Sequence, residues 1–273
     1  MKRFFVAIED FYYRRIVKNI LKLSSLGYGF IVKGAEFGYN YEHIYNNRAS
    51  GRYFVGTMID RLFLNLPAVQ ATRERKDVLK GVLWNEICNN ILLKRKTKII
   101  DLASGGARYL RELKNEHLLG QVESICIDRN LDCVEMGRLL SREEGLRNIR
   151  FIKGDVFKLH HLKKFSNKSK WVPNVVTASG FFIYFNDDIV TKMIRDIYDV
   201  LPAKGLFVFQ SYENLNTKKL MRKTMATSSG DNWTLYYRKP DFWRDLLHRV
   251  GFEDVFISRD KWLMNNVCVA RKK

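Results

Sequence analysis

Apolar and polar positions follow helical spacing at the start of the chain. Over residues 4–23, Phe4, Phe5, Ile8, Phe11, Tyr12, Ile16, Ile20 and Leu23 fall on one stripe, with Lys2, Arg3, Arg14, Arg15, Lys18 and Lys22 between them. This pattern predicts a basic amphipathic helix. Such a helix either packs on its own domain, the reading preferred here, or lies on an anionic lipid surface. Residues 27–56 carry Gly27, Gly29, Gly34, Gly38, Gly51 and Gly56 among Tyr and Asn, so an irregular loop with sparse secondary structure is expected. Helical periodicity returns over 57–93. Met58, Ile59, Leu62 and Phe63 form one stripe there, and Val78, Leu79, Val82, Leu83, Ile87, Ile91 and Leu92 another.

The period changes at Thr97. TKIIDLASGGARYLREL reads as a β-branched strand, a turn of small residues and a helical stretch. The same order recurs in VESICIDRN with LDCVEMGRLLSREEG, in IRFIKGDVF, in NVVTASG with the amphipathic residues 187–200, and in GLFVFQS. Strands alternating with helices predict an α/β fold, a doubly wound and mostly parallel sheet. Near the end, Lys239-Pro240-Asp241 opens a helix that Gly251 stops. DVFIS and NNVCVARK then follow with too short a link for a crossover, so they should close the sheet as an antiparallel hairpin. The predicted organisation is an N-terminal helical and loop region, residues 1–95, ahead of a sheet domain, residues 96–273.

Composition narrows the picture. Hydrophobic residues make up 46% of the 273, which excludes disorder and collagen-like repeats. Lys and Arg number 48 against 29 Asp and Glu, a formal net charge of +19. That balance favours polyanionic partners such as nucleic acid, anionic lipid or phosphate-bearing substrates. The cysteines Cys88, Cys126, Cys133 and Cys268 show neither a CxxC pair nor zinc-ligand spacing with His. All four are expected to be reduced, with Cys126 and Cys268 in the core, and a cytoplasmic location fits this usage. The apolar stretch near the N-terminus is too short for a signal peptide. The longest uncharged run, residues 171–186, contains Pro173 and Gly180 and is too short to span a bilayer.

In open α/β sheets ligands bind beyond the carboxyl ends of the strands. The residues standing there are Asp101, Ala103, Ser104, Gly105 and Gly106, then Asp128, then Asp155, then Ser179 and Gly180. Small residues admit a ligand close to the backbone, where N–H groups at the next helix can bond it. An acidic residue closing the second strand is placed to accept both ribose hydroxyls of an adenosine. Asp155 adds a carboxylate in reach of an adenine edge. GxGxxG is absent, and Asp101 would repel a pyrophosphate. It would instead attract the ammonium group or the sulfur of a sulfonium cofactor, so S-adenosyl-L-methionine fits better than a dinucleotide.

At these residues the chain resembles a known family. IIDLASGGARYL, ICIDRN, IRFIKGDVF, VVTASGFFIYF, LPAKGLFVF, RKPDFWRDLLHRVGFEDVFI and NNVCVARK look like successive motifs of class I S-adenosylmethionine-dependent methyltransferases. They resemble more closely a bacterial branch of methyltransferases, some fused behind an α/β-hydrolase domain. The stretch YEHIYNNRASGRYFVGTMIDRLFLNLPAVQATRERKDVLK is similar to that branch too, extending the likeness over residues 38–273. The resemblance implies a Rossmann-like methyltransferase fold and S-adenosyl-L-methionine as cofactor. By position it implies that Asp101, Ala103, Ser104 and Gly105 line the methionine end and that Asp128, beside Arg129, holds the ribose. Asp155 and the backbone of Val156 would read adenine, and Ser179 and Gly180 would border the methyl group. Ala107 stands where the branch has a further glycine, and its methyl suits helical angles rather than a left-handed turn.

Other signals are weaker. Arg108 could meet the carboxylate of the methionine moiety or simply face solvent. Phe181, Phe182, Tyr184 and Phe185 could floor a substrate pocket, where an aromatic face favours a sulfonium, or pack in the core. His160 and His161 lie in a basic stretch, 158–170, better read as a solvated loop than as a catalytic base. Lys218, Lys219, Arg222 and Lys223 form a second basic cluster that, with the first, would frame the cleft. Methyl transfer from a sulfonium is an in-line displacement in which the protein aligns the partners and excludes water. SGFF stands where an Asn-Pro-Pro-Tyr-type motif would mark an amino group of adenine or glutamine as acceptor. Tyr184, His43 and Tyr45 are candidates near the mouth, but none is singled out as catalytic, and no metal is expected. Residues 1–95 would lid the cleft and select the acceptor, a small or lipid-linked molecule in preference to RNA. The alternative function is an inactive methyltransferase-like domain that binds RNA or anionic membrane through its basic face.

Overall fold

The computed structural model describes residues 8–113, 120–158, 171–215 and 217–273. The chain packs as two compact units, Met1–Arg73 with Leu215–Thr234, and Glu74–Asn214 with Leu235–Lys273. This division differs from a boundary after residue 95 in two ways. The helix Pro67–Leu92 contributes Leu79, Leu83 and Ile87 to the core of the sheet. A segment beyond the fifth strand, in turn, belongs with the N-terminal unit.

The larger unit is a seven-stranded sheet in the order β3-β2-β1-β4-β5-β7-β6. The strands are β1 Thr97–Leu102, β2 Val122–Asp128, β3 Ile149–Lys153, β4 Val175–Ser179, β5 Leu206–Tyr212, β6 Phe252–Arg259 and β7 Asn265–Lys272. The first five pair in parallel, and β7 runs antiparallel to both β5 and β6. This is the doubly wound Rossmann-like sheet with its terminal hairpin. Successive side chains point to opposite faces. Ile100, Leu102, Ile127, Phe207 and Phe209 therefore join one core with the helices Asp187–Val200 and Pro240–Val250. Ile99, Cys126, Val175 and Val208 join another with Pro67–Leu92 and with Val134 of the helix Leu131–Glu143. Every residue of β5 is buried, as a strand covered on both faces requires. The rings of Phe207 and Phe209 stack at 4.8 Å, and Trp243 meets Phe209 edge-on at 4.7 Å. Each such contact adds about 0.5–1.5 kcal/mol beyond burial.

Local chemistry sets the helix ends. The Asn130 side chain accepts from the Asp132 N–H at 2.8 Å, and that of Asn186 accepts from the Ile189 N–H at 3.0 Å. Gly251 closes the Pro240–Val250 helix at φ 112°. All four cysteines are free thiols, and Cys126 and Cys268 are fully buried. Among the described residues no helix is long and apolar enough to cross a membrane.

The N-terminal unit corrects the expectation of a loop over 27–56. A π-helical stretch Tyr12–Val17 leads into the helix Lys18–Leu21, and the chain stays largely helical through Ser25–Tyr28, Gly29–Lys33, Gly38–Asn46 and Tyr53–Leu64. The glycines serve close packing rather than helix breaking. A Cβ on Gly27 would lie 2.2 Å from the Leu21 carbonyl oxygen, one on Gly29 2.1 Å from Asn40 Oδ1, and one on Gly56 2.3 Å from the Leu23 oxygen. The missing side chains leave room for the Leu21 and Leu23 carbonyls and for the Asn40 side-chain amide. Asp60, with none of its surface exposed, ties the unit together. Its Oδ1 accepts from Ser24 Oγ at 2.5 Å and the Leu26 N–H at 2.8 Å, while Oδ2 accepts from the Ser50 N–H at 2.9 Å and meets His43 Nε2 at 2.8 Å. Burial raises the Asp60 carboxyl, but these hydrogen bonds outweigh it and hold the group below its ordinary value.

Candidate functional site

The carboxyl ends of β1 to β4 form one edge of the sheet, because the strands are parallel and closely in register. Asp101 pairs across to Cys126 on one side and Thr177 on the other, and Asp128 pairs to Lys153. The loop after β1 is bent sharply. Ala103 has φ 52°, Gly105 φ 52° and Ala107 φ 47°. The left-handed path is therefore taken at Ala107 despite its methyl group. Two alanines in that region store strain of about 1–2 kcal/mol each.

Hydrogen bonds hold the loop in this shape. The Gly105 N–H donates to Asp128 Oδ2 at 2.9 Å, and the Ser104 N–H to the Ile127 carbonyl at 3.1 Å. Asp128 also accepts the Asn130 N–H on Oδ1 at 2.9 Å, and its carbonyl receives the Gly154 N–H at 2.9 Å. The ends of β1, β2 and β3 are thereby joined through one aspartate. Burial pushes the Asp128 carboxyl above its ordinary value, against the pull of the Asn130 and Gly105 amides.

Asp101 is completely enclosed. Tyr109 Oη donates to its Oδ1 at 2.5 Å and Thr177 Oγ1 to the same oxygen at 2.9 Å. Oδ2 is buried and has no hydrogen-bond partner among the described residues, as is also true of Ser104 Oγ. Burial drives the Asp101 carboxyl up to about 7; the Tyr109 and Thr177 bonds oppose this and the nearby Asp128 charge adds to it. A buried acceptor without a donor is costly. An incoming N–H or ammonium group satisfies it, so the residues present fit the methionine end of the cofactor implied by the sequence.

The remaining candidates divide. Ser179 ends β4 and Gly180 follows it with φ 69°. A Cβ there would lie 3.4 Å from both Arg75 Nη1 and Gln210 Oε1. Asp155 is exposed, with Oδ1 accepting the Phe157 N–H at 3.0 Å, and Val156 beside it is buried. Arg129 is exposed. Arg108 donates to Glu112 at 2.7 Å, where Lys76 and Lys80 converge at 2.6 Å and 3.2 Å. Burial raises the Glu112 carboxyl, but these three cations bring it down to about 2.

Phe182 is fully buried, and Phe181 and Phe185 pack with Phe157 and with each other, so these rings are core. Tyr184 is half-buried beside Phe185, and Tyr45 is half-buried. His43 is engaged with Asp60. Lys219 and Lys223 form ion pairs with Glu9 and Asp10 rather than standing as open cations. His160, His161 and the basic stretch around them lie outside the described residues.

Several contributors are absent from the sequence reading. Tyr109 and Thr177 fix Asp101. Buried Arg75 donates to Gln210 Oε1 at 2.5 Å, and Gln210 Nε2 donates to Asn265 Oδ1 at 2.5 Å. Thr177 and Gln210 had a visible signal, each being a polar residue inside an apolar strand run.

Ala107 is 2% exposed and packs in the core, which sets up a testable asymmetry. Substitution by glycine relieves about 1–2 kcal/mol of left-handed strain but loses about 0.8 kcal/mol of methyl burial and about 0.4–1 kcal/mol through the unfolded chain. Ala107→Gly is therefore expected to leave the melting temperature nearly unchanged. Ala107→Val, β-branched at a positive φ, should lose about 2 kcal/mol or more. Equal melting of the two variants would contradict the left-handed assignment.

The parallel sheet, the pinned loop after β1 and the acidic residue closing β2 define the class I methyltransferase fold. The chain belongs to the "Putative methyltransferase" family, whose signature matches residues 3–272. An uncharacterized protein of Escherichia coli K12, YnbC, is 19% identical over 244 residues, covering 88% of this chain but 41% of that protein. The chain thus spans less than half the length of this relative. Among solved structures, a possible exported protein from Bordetella parapertussis superposes with a TM-score of 0.72 at 19% identity, covering 93% of this chain and 85% of the other. The S-adenosylmethionine-dependent methyltransferase SibL superposes with a TM-score of 0.50 at 14% identity, over 76% of this chain and 59% of that one. At such identities these likenesses concern the fold.

Proposed function

We propose that this protein transfers a methyl group from S-adenosyl-L-methionine to a small or lipid-linked acceptor. One observation carries the reading. The loop after β1 is pinned by the bond from Gly105 to Asp128, while Asp101 Oδ2, within β1, is buried without a hydrogen-bond partner among the described residues. Asp128 keeps both oxygens oriented by backbone amides, and their remaining lone pairs suit a pair of ribose hydroxyls. Asp101 Oδ2 and Ser104 Oγ would receive the amino-acid end, and Asp155 with the Val156 backbone the adenine. When bound, the cofactor supplies an electrophilic methyl on a sulfonium. The chain's contribution is to align it and exclude water near Ser179 and Gly180.

The test is calorimetric titration with S-adenosylhomocysteine, with NAD as the competing ligand. Micromolar binding of the first and none of the second is expected. The absence of heat from folded protein would overturn the reading.

Protons provide an independent check. Below about pH 7 the Asp101 carboxyl is largely protonated in the free protein. A neighbouring ammonium group favours the carboxylate, so binding at pH 6 should release a proton and affinity should rise with pH up to about 7. Proton release is read from the dependence of binding enthalpy on buffer ionisation, and Asp101→Asn should abolish it. The same raised value makes a stability contribution that is full below the ordinary carboxyl value of 3.8 and is lost as pH rises through about 7.

A further inference from the structure

The N-terminal unit exposes an apolar surface that its own packing does not use. In the helix Tyr53–Leu64, Gly56, Asp60, Phe63 and Leu64 face inward. The outward side is not polar, because Tyr53 is 87% exposed, Phe54 77%, Val55 57%, Met58 48% and Leu62 70%. Large apolar side chains clustered on one exposed helix mark an interaction surface. Tyr53 is also held at φ 58°, a strained conformation for a bulky residue.

A second exposed set adjoins the first. Ile8, Phe11, Tyr12, Ile16 and Ile20 are all exposed on the preceding helical stretch. The Arg52 N–H donates to the Leu23 carbonyl at 2.8 Å, and Gly51 and Gly56 pack against the same carbonyl. The end of one apolar stripe therefore lies against the start of the other.

The surrounding charge is predominantly positive. Arg14, Arg15, Arg48, Arg52 and Arg61 are exposed, and none forms an ion pair among the described residues. The acidic residues of the two segments are engaged elsewhere. Glu9 and Asp10 pair with Lys219 and Lys223, and Asp60 lies in its buried network. Exposed aromatic and aliphatic residues interspersed with unpaired arginines match an anionic lipid surface, whose headgroups meet the cations while the rings enter the acyl boundary. Nucleic acid would use the arginines but not Val55, Met58 and Leu62. A second copy of the chain would cover the apolar residues but bring like charges together.

We infer that this face docks on anionic lipid, with Tyr53, Phe54 and Leu62 inserted and Arg52 and Arg61 on the phosphates. The inference does not depend on methyl transfer. The experiment is co-sedimentation of the full chain with phosphatidylcholine vesicles and with mixed phosphatidylglycerol–phosphatidylcholine vesicles. Binding to the mixed vesicles, weakened by salt, is expected, with little binding to phosphatidylcholine alone. The double variant Tyr53→Ser, Phe54→Ser should lower the partition coefficient about tenfold or more, and Arg52→Gln and Arg61→Gln about fivefold each. All four positions are exposed, so unchanged circular-dichroism melting should accompany the loss, and S-adenosylhomocysteine titration of the variants should match the parent chain. Equal binding to both vesicle types, or partitioning indifferent to these substitutions, would overturn the inference. So would a dimer in light scattering that the double variant dissociates.

Discussion

The N-terminal unit should lose roughly 3–5 kcal/mol of stability when Asp60 is replaced by alanine. The substitution strands the Ser24 hydroxyl and the Leu26 and Ser50 amides, three donors that now share one buried carboxylate. Each orphaned donor costs about 1–3 kcal/mol. The substitution also removes the partner of His43. Asp60→Asn keeps one acceptor oxygen and should recover part of the loss. The pH dependence has a definite sign. The folded carboxyl lies below its ordinary 3.8, so its contribution is complete above that value and is lost as acid titrates the folded group. Chemical denaturation of the parent chain and the two variants, followed from neutral to acid pH, measures both effects. A loss under 1 kcal/mol for the alanine variant would show that the network is not what holds these helices.

The second large effect belongs to Asp128. Asp128→Ala should weaken S-adenosylhomocysteine about a hundredfold, or about 2.7 kcal/mol. Hydrogen bonds to a charged acceptor are worth about 1.5–3 kcal/mol each. On the proposed reading two ribose hydroxyls lose their acceptor, and the Gly105 amide is released as well. Asp128→Asn retains one oxygen and should fall between. Calorimetry reads the affinities, and melting confirms the fold. A change under tenfold in the alanine variant would remove Asp128 from the ribose site.

Much of the sheet unit could be read from local pattern. β1, β2 and β4 are rich in β-branched residues and end at or beside acidic or small residues, and Pro240 and Gly251 bound a helix as free-standing signals. Asp101, Gly105 and Asp128 converge because parallel strands bring their ends to one edge. The site's supporting contacts were less legible. Arg75 sits inside a long helix with nothing local to mark it, and its partner Gln210 lies 135 residues away. The glycines of residues 27–56 misled for a physical reason. Glycine disrupts a helix in isolation but allows two backbones to touch when tertiary packing is available, and composition does not distinguish these cases. Ala107 was visible as a departure, yet only the structure shows that the loop keeps its left-handed turn there.

The segment after β5 imposes an order on synthesis. The ring of Phe30 meets Trp233 at 5.9 Å, the Ala35 N–H donates to the Ala226 carbonyl at 2.9 Å, and Glu36 holds Ser228 across a separation of 192 residues. The ribosome adds about 5–20 residues per second, so the N-terminal helices wait roughly 10–40 s for these partners to emerge. During that interval Phe30 has the rings of Tyr41 and Phe63 but lacks that of Trp233. The first helices made are thus among the last to be completed, and a chaperone that shields them until residue 234 has been translated should raise the yield of folded protein.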